Sequence, residues 1–294
     1  MVIKGSIVAL VTPMNSNGEI DQPKLEKLVE WHIKEGTDGI VVVGTTGESS
    51  TLTSAESESV IKIAVAAANK RIPIIAGTGT SSTQQTIEQT QKARALGADA
   101  ALIITPYYNR PTQEGLFLHY QAIANAVPGF PIILYNNPGR SGCDLKPETV
   151  AKLSEIPNIY GIKDAVGDLN RIHQYKTNCR ENFKLFSGDD PSALDFMLAG
   201  GDGVISITAN VVPNMMHKMA DAALTKQEVL ARELNGQLNK LHRLLVIEPN
   251  PIPVKWTLSQ MTKIDPALRL PLTALSACHH AEIKEQLKLL GLSA

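Results

Sequence analysis

Lys163 closes the apolar run Ile159-Tyr160-Gly161-Ile162. A lysine pointing from such a run into a protein interior is desolvated, and desolvation favours the neutral amine over the ammonium. A neutral amine is the nucleophile that condenses with a carbonyl carbon to form a Schiff base. Two plainer placements stay open on these residues alone: an outward-pointing lysine, or an ordinary ion pair with Asp164 or Asp168. Phenols accompany the amine. Of six tyrosines, Tyr135 lies near the end of the run Pro131–Asn136, and Tyr107-Tyr108 follow Pro106. Schiff-base chemistry moves protons several times per turnover, and positioned phenols can relay them. The alternative for each is an amphipathic rim residue, ring inside and hydroxyl in water.

Thr45 and Thr46 sit between Gly44 and Gly47, in a turn whose hydroxyls and N–H groups could hold a small carboxylate. Arg140, two residues past Pro138, could grip a second carboxylate in bidentate fashion. Either feature alone also reads as an ordinary loop or a solvated cation. Histidines 32, 119, 173, 217, 242, 279 and 280 all fall in helical stretches and none closes a strand, which disfavours a metal site built from His and carboxylate ligands. No metal and no cofactor is expected. The glycines at 188, 200 and 201 have no basic residue beside them, which argues against a phosphate site there.

The elements that must position these residues are legible as periodicity. Short apolar runs occupy Ser6–Pro13, Gly39–Gly44, Pro73–Gly77, Ala100–Pro106, Pro131–Asn136, Asn158–Lys163, Phe183–Gly188 and Gly203–Thr208. Near-continuous apolarity is the signature of parallel strands covered on both faces. Between the runs, apolar residues recur three and four apart, as in Leu25, Leu28 and Val29. Asp21, Ser54 and Thr112 read as helix caps. Eight strand–helix alternations predict an α/β fold, a (β/α)8 TIM barrel over residues 1–224, with a C-terminal helical extension over 225–294. Residues 213–245 and 251–290 read as helices around the proline-rich segment 248–253. In this architecture chemistry sits at the C-terminal ends of the strands, where the residues named above lie.

The chain has 294 residues, with 28 Lys+Arg against 29 Asp+Glu and a net charge of −1, so no basic surplus points to nucleic acid. No apolar stretch approaches the roughly 20 residues of a membrane span. The opening MVIKGSIVALVTP reads as a first strand rather than a leader. Three dispersed cysteines without a CxxC pair suggest neither a disulfide framework nor a zinc site, and a cytoplasmic setting is expected.

Taken in order, Gly44-Thr45-Thr46-Gly47-Glu48-Ser49, Pro106-Tyr107-Tyr108-Asn109-Arg110-Pro111, Leu134-Tyr135-Asn136, Gly161-Ile162-Lys163, Ser187-Gly188-Asp189-Asp190 and Glu248-Pro249-Asn250-Pro251 resemble the dihydrodipicolinate synthase family, within the pyruvate-dependent class I aldolases and lyases. The resemblance spans nearly the whole chain. It implies that Lys163 forms an imine with pyruvate, and that the derived enamine adds to the aldehyde of L-aspartate 4-semialdehyde before cyclisation, in the diaminopimelate route to lysine. It further implies a proton relay of Thr45, Tyr135 and Tyr108, with Tyr108 supplied by the neighbouring subunit of a tight dimer inside a homotetramer. Thr46 would bind the pyruvate carboxylate, the backbone at Ile205 and Gly188 would line the same pocket, and Arg140 would hold the semialdehyde carboxylate. N-acetylneuraminate lyases and keto-deoxy sugar acid aldolases share the lysine and tyrosine; the Tyr-Tyr-Asn-Arg-Pro run and Arg140 favour the synthase. Lysine-inhibited members carry two histidines after the Gly-Thr-Thr-Gly-Glu-Ser turn, and an asparagine and a glutamate after the third strand. Here Ser54, Ser57, Ser81 and Gln85 stand instead, so inhibition by lysine is expected to be weak or absent.

Overall fold

The computed structural model describes residues 2–292. Eight strands, β1 (Gly5–Ala9), β2 (Gly39–Val42), β3 (Ile74–Gly77), β4 (Ala100–Ile104), β5 (Ile132–Asn136), β6 (Ile159–Asp164), β7 (Lys184–Ser187) and β8 (Gly203–Ser206), pair in sequence order into a closed barrel. Every pairing is parallel, and β1 closes on β8 through Ile7 opposite Ile205. The eight apolar runs are therefore the barrel. Alternation explains why they are apolar throughout: Ile7, Val41, Ile75, Leu102, Ile133 and Phe186 fill the interior, while Val8, Ile40, Ile74, Ile103, Leu134 and Ile162 pack under the helices.

Helices α1 (Gln22–Lys34), α2 (Ser54–Ala68), α3 (Thr83–Ala95), α4 (Gln113–Ala126), α5 (Pro138–Ser141), α6 (Pro147–Ser154), α7 (Asn170–Asn178), α8 (Ala193–Leu198) and α9 (Pro213–Leu224) surround the strands. Asp21 caps α1 by accepting from Lys24 N at 3.0 Å, and Thr112 caps α4 by accepting from Gly115 N at 3.2 Å. The expected Ser54 cap is displaced by one residue. Thr53 is the cap of α2, because its hydroxyl takes the Glu56 N–H while the Glu56 carboxylate returns to Thr53 N, a reciprocal pair that Ser54 would not complete.

Beyond residue 225, α10 (Glu228–Leu244) packs on α9, and α11 (Ile252–Gln260) and α12 (His280–Leu289) follow. The helix expected over 213–245 is two, α9 and α10, broken at residues 225–227, and the one expected over 251–290 is also two, α11 and α12, separated by an irregular stretch. Pro266 and Pro271 interrupt it, and Arg269 anchors it to the barrel through Gly18 O at 2.9 Å, Thr51 O at 2.8 Å and the Glu56 carboxylate. Among the described residues no helix is long and apolar enough to cross a membrane.

Candidate active site

The β2–α2 turn is the most constrained loop at the barrel mouth. Val43 takes φ +55° and Glu48 φ +57°, both in the left-handed region that a β-branched valine strongly disfavours. Gly77 makes the first possible, since a Cβ there would fall 2.2 Å from the Val43 carbonyl oxygen. The turn closes through Gly47 N to Gly44 O at 3.0 Å and Glu48 N to Thr45 O at 3.1 Å. It is then clamped from the C-terminal region. The Glu48 carboxylate, wholly buried, meets Lys255 Nζ at 2.5 Å and accepts from Arg269 N at 3.2 Å. Asn250 Nδ2 donates to Thr46 Oγ1 at 3.0 Å.

Across the mouth, Tyr135 and Lys163 are register partners on β5 and β6, so their side chains rise together on the inner face. Lys163 is only 6 % exposed, and its Nζ lies 4.3 Å from the centroid of the Tyr135 ring. Among the described residues it has no carboxylate partner. The ion pair with Asp164 left open by the sequence does not form, because Asp164, one residue on, points to the opposite face. There it accepts from Arg171 Nε at 2.7 Å and Tyr175 Oη at 2.5 Å, while Arg171 also reaches Asp144 at 3.1 Å. Asp168 is taken by Asn170. Gly188 gives the lysine its space: a Cβ there would stand 2.9 Å from Lys163 Cε.

Asn137 Nδ2 donates to the Tyr135 hydroxyl at 3.2 Å. Burial pushes this phenol up, but the charge of Lys163, the Asn137 amide, the charge of Arg140 and the Thr45 hydroxyl together hold it below the usual phenol range. A phenol so placed can exchange protons with atoms bound to Lys163 Nζ.

These groups line one cavity of about 400 Å³, together with Thr45, Thr46, Arg140, Gly188 and Asn250. Asp189, Asp190 and Glu248 also border it, yet each is engaged by its own surroundings. Asp189 accepts from Ser192 Oγ at 2.6 Å, Asp190 from Ile207 N at 2.9 Å and Thr208 N at 3.0 Å, and Glu248 from Ser276 N at 3.2 Å. Among the described residues two cations, Lys163 and Arg140, thus face the cavity without a carboxylate partner, which suits an anionic carbonyl compound.

The structure brings together Lys163, Tyr135, Thr45, Thr46, Arg140 and Gly188. It places Ile205 one layer down, in the interior cluster with Tyr135 and Phe186, beneath the cavity rather than in its wall. Tyr108 stands apart: it is 94 % exposed at φ +74°, and it borders neither this cavity nor the one beside it. Sequence reasoning assigned no role to Asn137, Lys255 or the Asp164–Arg171–Tyr175 network. A signal was present for Asn250, which stands in the quoted Glu-Pro-Asn-Pro motif.

A sequence profile of the dihydrodipicolinate synthetase family matches residues 2–290. The chain is 54% identical over 291 residues, 99% of both chains, to a protein of Coxiella burnetii named 4-hydroxy-tetrahydrodipicolinate synthase. It is 53% identical, with the same coverage, to one of that name from Alcanivorax borkumensis. The crystal structure of the chloride-inhibited dihydrodipicolinate synthase from Acinetobacter baumannii, complexed with pyruvate, superposes with a TM-score of 0.97 at 53% identity, covering 99% of this chain and 100% of that one. That from Aquifex aeolicus gives 0.96 at 42% identity, covering 99% of each. With a closed parallel barrel, a buried lysine beside a buried phenol, and these relatives along its full length, the chain belongs to the dihydrodipicolinate synthetase family.

Proposed function

We propose that this chain is a lyase that condenses pyruvate with L-aspartate 4-semialdehyde, the reaction of a 4-hydroxy-tetrahydrodipicolinate synthase in lysine biosynthesis. The observation that carries the reading is Lys163: a buried amine at the barrel mouth with no carboxylate partner among the described residues, 4.3 Å from the ring of a phenol. Its Nζ attacks the ketone carbon of pyruvate to give a carbinolamine, which loses water to form an imine. Loss of a methyl proton gives the enamine, whose carbon adds to the semialdehyde carbonyl. The substrate amino group then attacks the imine carbon, closes the ring and expels the lysine. The curated relatives favour this over the lyase and aldolase activities that share the lysine and tyrosine.

Tyr135 moves the protons in these steps, and Thr45 hands them on, a role supported by its contribution to the lowered phenol. Thr46 receives the pyruvate carboxylate, with the Gly188 backbone beside it and Ile205 closing the floor. Arg140 grips the carboxylate of the semialdehyde. Tyr108 completes the relay of the partner subunit in a tight dimer, two of which form a homotetramer; its full exposure in one chain supports a role outside its own cavity. The segment beginning near residue 225 serves the barrel as an extension that delivers Asn250 and Lys255 to the Thr46 turn. A cytoplasmic setting is supported by three cysteines that are all free.

Borohydride reduction in the presence of pyruvate, followed by peptide mass analysis, tests the reading. A pyruvate-derived adduct on the Lys163 peptide is expected. Its absence would overturn the catalytic assignment. With the adduct in hand, consumption of aspartate semialdehyde against N-acetylmannosamine separates the synthase from the sugar-acid lyase.

A further inference from the structure

We infer that Asn250 is a positioning residue that fixes the direction in which the Thr46 hydroxyl donates, and so sets affinity for the keto-acid carboxylate without taking part in bond making. The inference rests on the reading above that Thr46 receives that carboxylate. A threonine hydroxyl has one proton and two acceptor sites, and its rotor turns to suit its neighbours. Left alone, such a hydroxyl can turn its proton toward any acceptor within reach. At Thr46, 2 % exposed, one acceptor site is taken by Asn250 Nδ2 at 3.0 Å, and among the described residues the hydroxyl has no other partner. An amide N–H pointed at the oxygen leaves the Thr46 proton only the remaining directions, and Thr46 lines the cavity of Lys163.

Three further observations bear on this. Asn250 is itself 8 % exposed, and among the described residues its side-chain oxygen has no hydrogen-bond partner and its donation to Thr46 is the one hydrogen bond its side chain makes. A buried amide oxygen without a partner is unfavourable. An apolar side chain at 250 would avoid that penalty but would release the Thr46 rotor. The residue is also stiffly held, with Pro249 before it, Pro251 after it, and Lys255, four residues on from Pro251, buried against Glu48 in the very turn that carries Thr46. Finally, the Asn250 backbone carbonyl accepts from Arg140 Nη2 at 3.5 Å. One residue of the C-terminal segment therefore touches both groups proposed to hold substrate carboxylates. The relation has a direction that can be tested. If the amide presented its oxygen to Thr46 instead, the hydroxyl proton would be consumed by Asn250, and removing the amide would tighten pyruvate binding.

The experiment is a double-mutant cycle on steady-state constants, with Asn250→Ala, Thr46→Val and the pair. Asn250→Ala should raise the KM for pyruvate roughly tenfold, with kcat within about twofold and the KM for the semialdehyde little moved, the pattern of a lost binding interaction. In the Thr46→Val background the same change should add nothing. Asn250→Asp keeps the shape but presents acceptors only, so it turns the Thr46 proton away from the cavity. It should raise the pyruvate KM at least as much, and it keeps the test alive if the alanine variant fails to fold. An unchanged or lowered KM in Asn250→Ala overturns the inference, as does an effect that persists in full without the Thr46 hydroxyl, or a fall in kcat at constant KM. Borohydride trapping on the unaltered enzyme separates the two readings: no Lys163 adduct there sinks the proposed function, whereas a normal adduct with an unmoved KM in the variants sinks only the role of Asn250.

Discussion

Two cavities of nearly equal size open at the barrel mouth, and Thr45 and Arg140 belong to the walls of both. The first, about 400 Å³, holds a buried amine, a phenol and two groups proposed to bind carboxylates. The second, about 380 Å³, is lined by Ser49, Ser54, Ser57, Gln85, Gln89 and Tyr107, and Arg140 is the one charged residue in its wall among those described. Size does not distinguish them; the amine does. Covalent chemistry needs a nucleophile whose proton can leave, and only the first cavity combines a desolvated lysine with a phenol able to take that proton. The second can recognise, but among the described residues its wall holds no lysine amine.

The sharpest way to break this contrast is to remove the amine. Lys163→Ala should lower kcat/KM by at least about 10³-fold and abolish borohydride trapping, since among the described residues no other lysine borders the cavity. Appreciable turnover in that variant would erase the distinction between the cavities. Tyr135→Phe should cost ~10²–10⁴-fold in kcat, the usual range for a lost general acid–base group. The phenol also predicts a sign for pH dependence. Lys163, Asn137, Arg140 and Thr45 hold it below the ordinary phenol range against burial, so the alkaline limb of kcat should fall below that range too. Removing the Asn137 donor withdraws one lowering contribution, so the limb of Asn137→Ala should move to higher pH; a downward shift would contradict the assignment. Tyr108→Phe is a smaller perturbation. It should depress turnover about tenfold while leaving imine formation at Lys163 intact, as loss of one member of a proton relay does. Full activity would remove Tyr108 from the relay.

How much of this could be read beforehand depended on whether the information was local. Strand alternation is local, so the barrel and the clustering of Lys163, Tyr135, Thr45 and Arg140 at its mouth followed from residue order. Which way Lys163 pointed did not, because a run apolar on both faces carries no period-two signal. The answer lay in Asp164, committed to Arg171 and Tyr175 outside the barrel, and in Gly188, which clears the space the lysine occupies. The clamp on the Thr46 turn was invisible for a different reason. Asn250 and Lys255 lie more than 200 residues from Thr46 and Glu48, and no periodicity links them. The misplaced cap at α2 was a one-residue error among Thr53 and Ser54, both good capping residues, decided by the position of Glu56. The break between α11 and α12 falls where Pro266 and Pro271 stand, residues that interrupt a helix.

The smallest expected effect concerns the second cavity and its indifference to lysine. Free lysine carries two ammonium groups and one carboxylate, so a site that holds it must supply acceptors for cations, and ionised acceptors give the stronger bonds. Ser54, Ser57 and Gln85 line this cavity with hydroxyls and an amide, whereas Ser81 stays outside its wall and lends its backbone carbonyl to Asn109. Arg140, the wall's charged group, would attract the carboxylate but repel both ammonium groups. Millimolar L-lysine should therefore leave the rate of the unaltered enzyme within about twofold, the outcome expected where neither ammonium group meets an ionised acceptor. Gln85→Glu supplies the missing acceptor without changing the size of the side chain, and a charge-assisted bond of ~1.5–3 kcal/mol should then tighten lysine binding at least tenfold. If the unaltered enzyme were inhibited at micromolar lysine, neutral hydroxyls and amides would have to suffice for two ammonium groups, and the chemical contrast between the two cavities would fail on its recognition side. If Gln85→Glu instead left lysine without effect, the limit would lie in access to the cavity, because the acceptor would then be present.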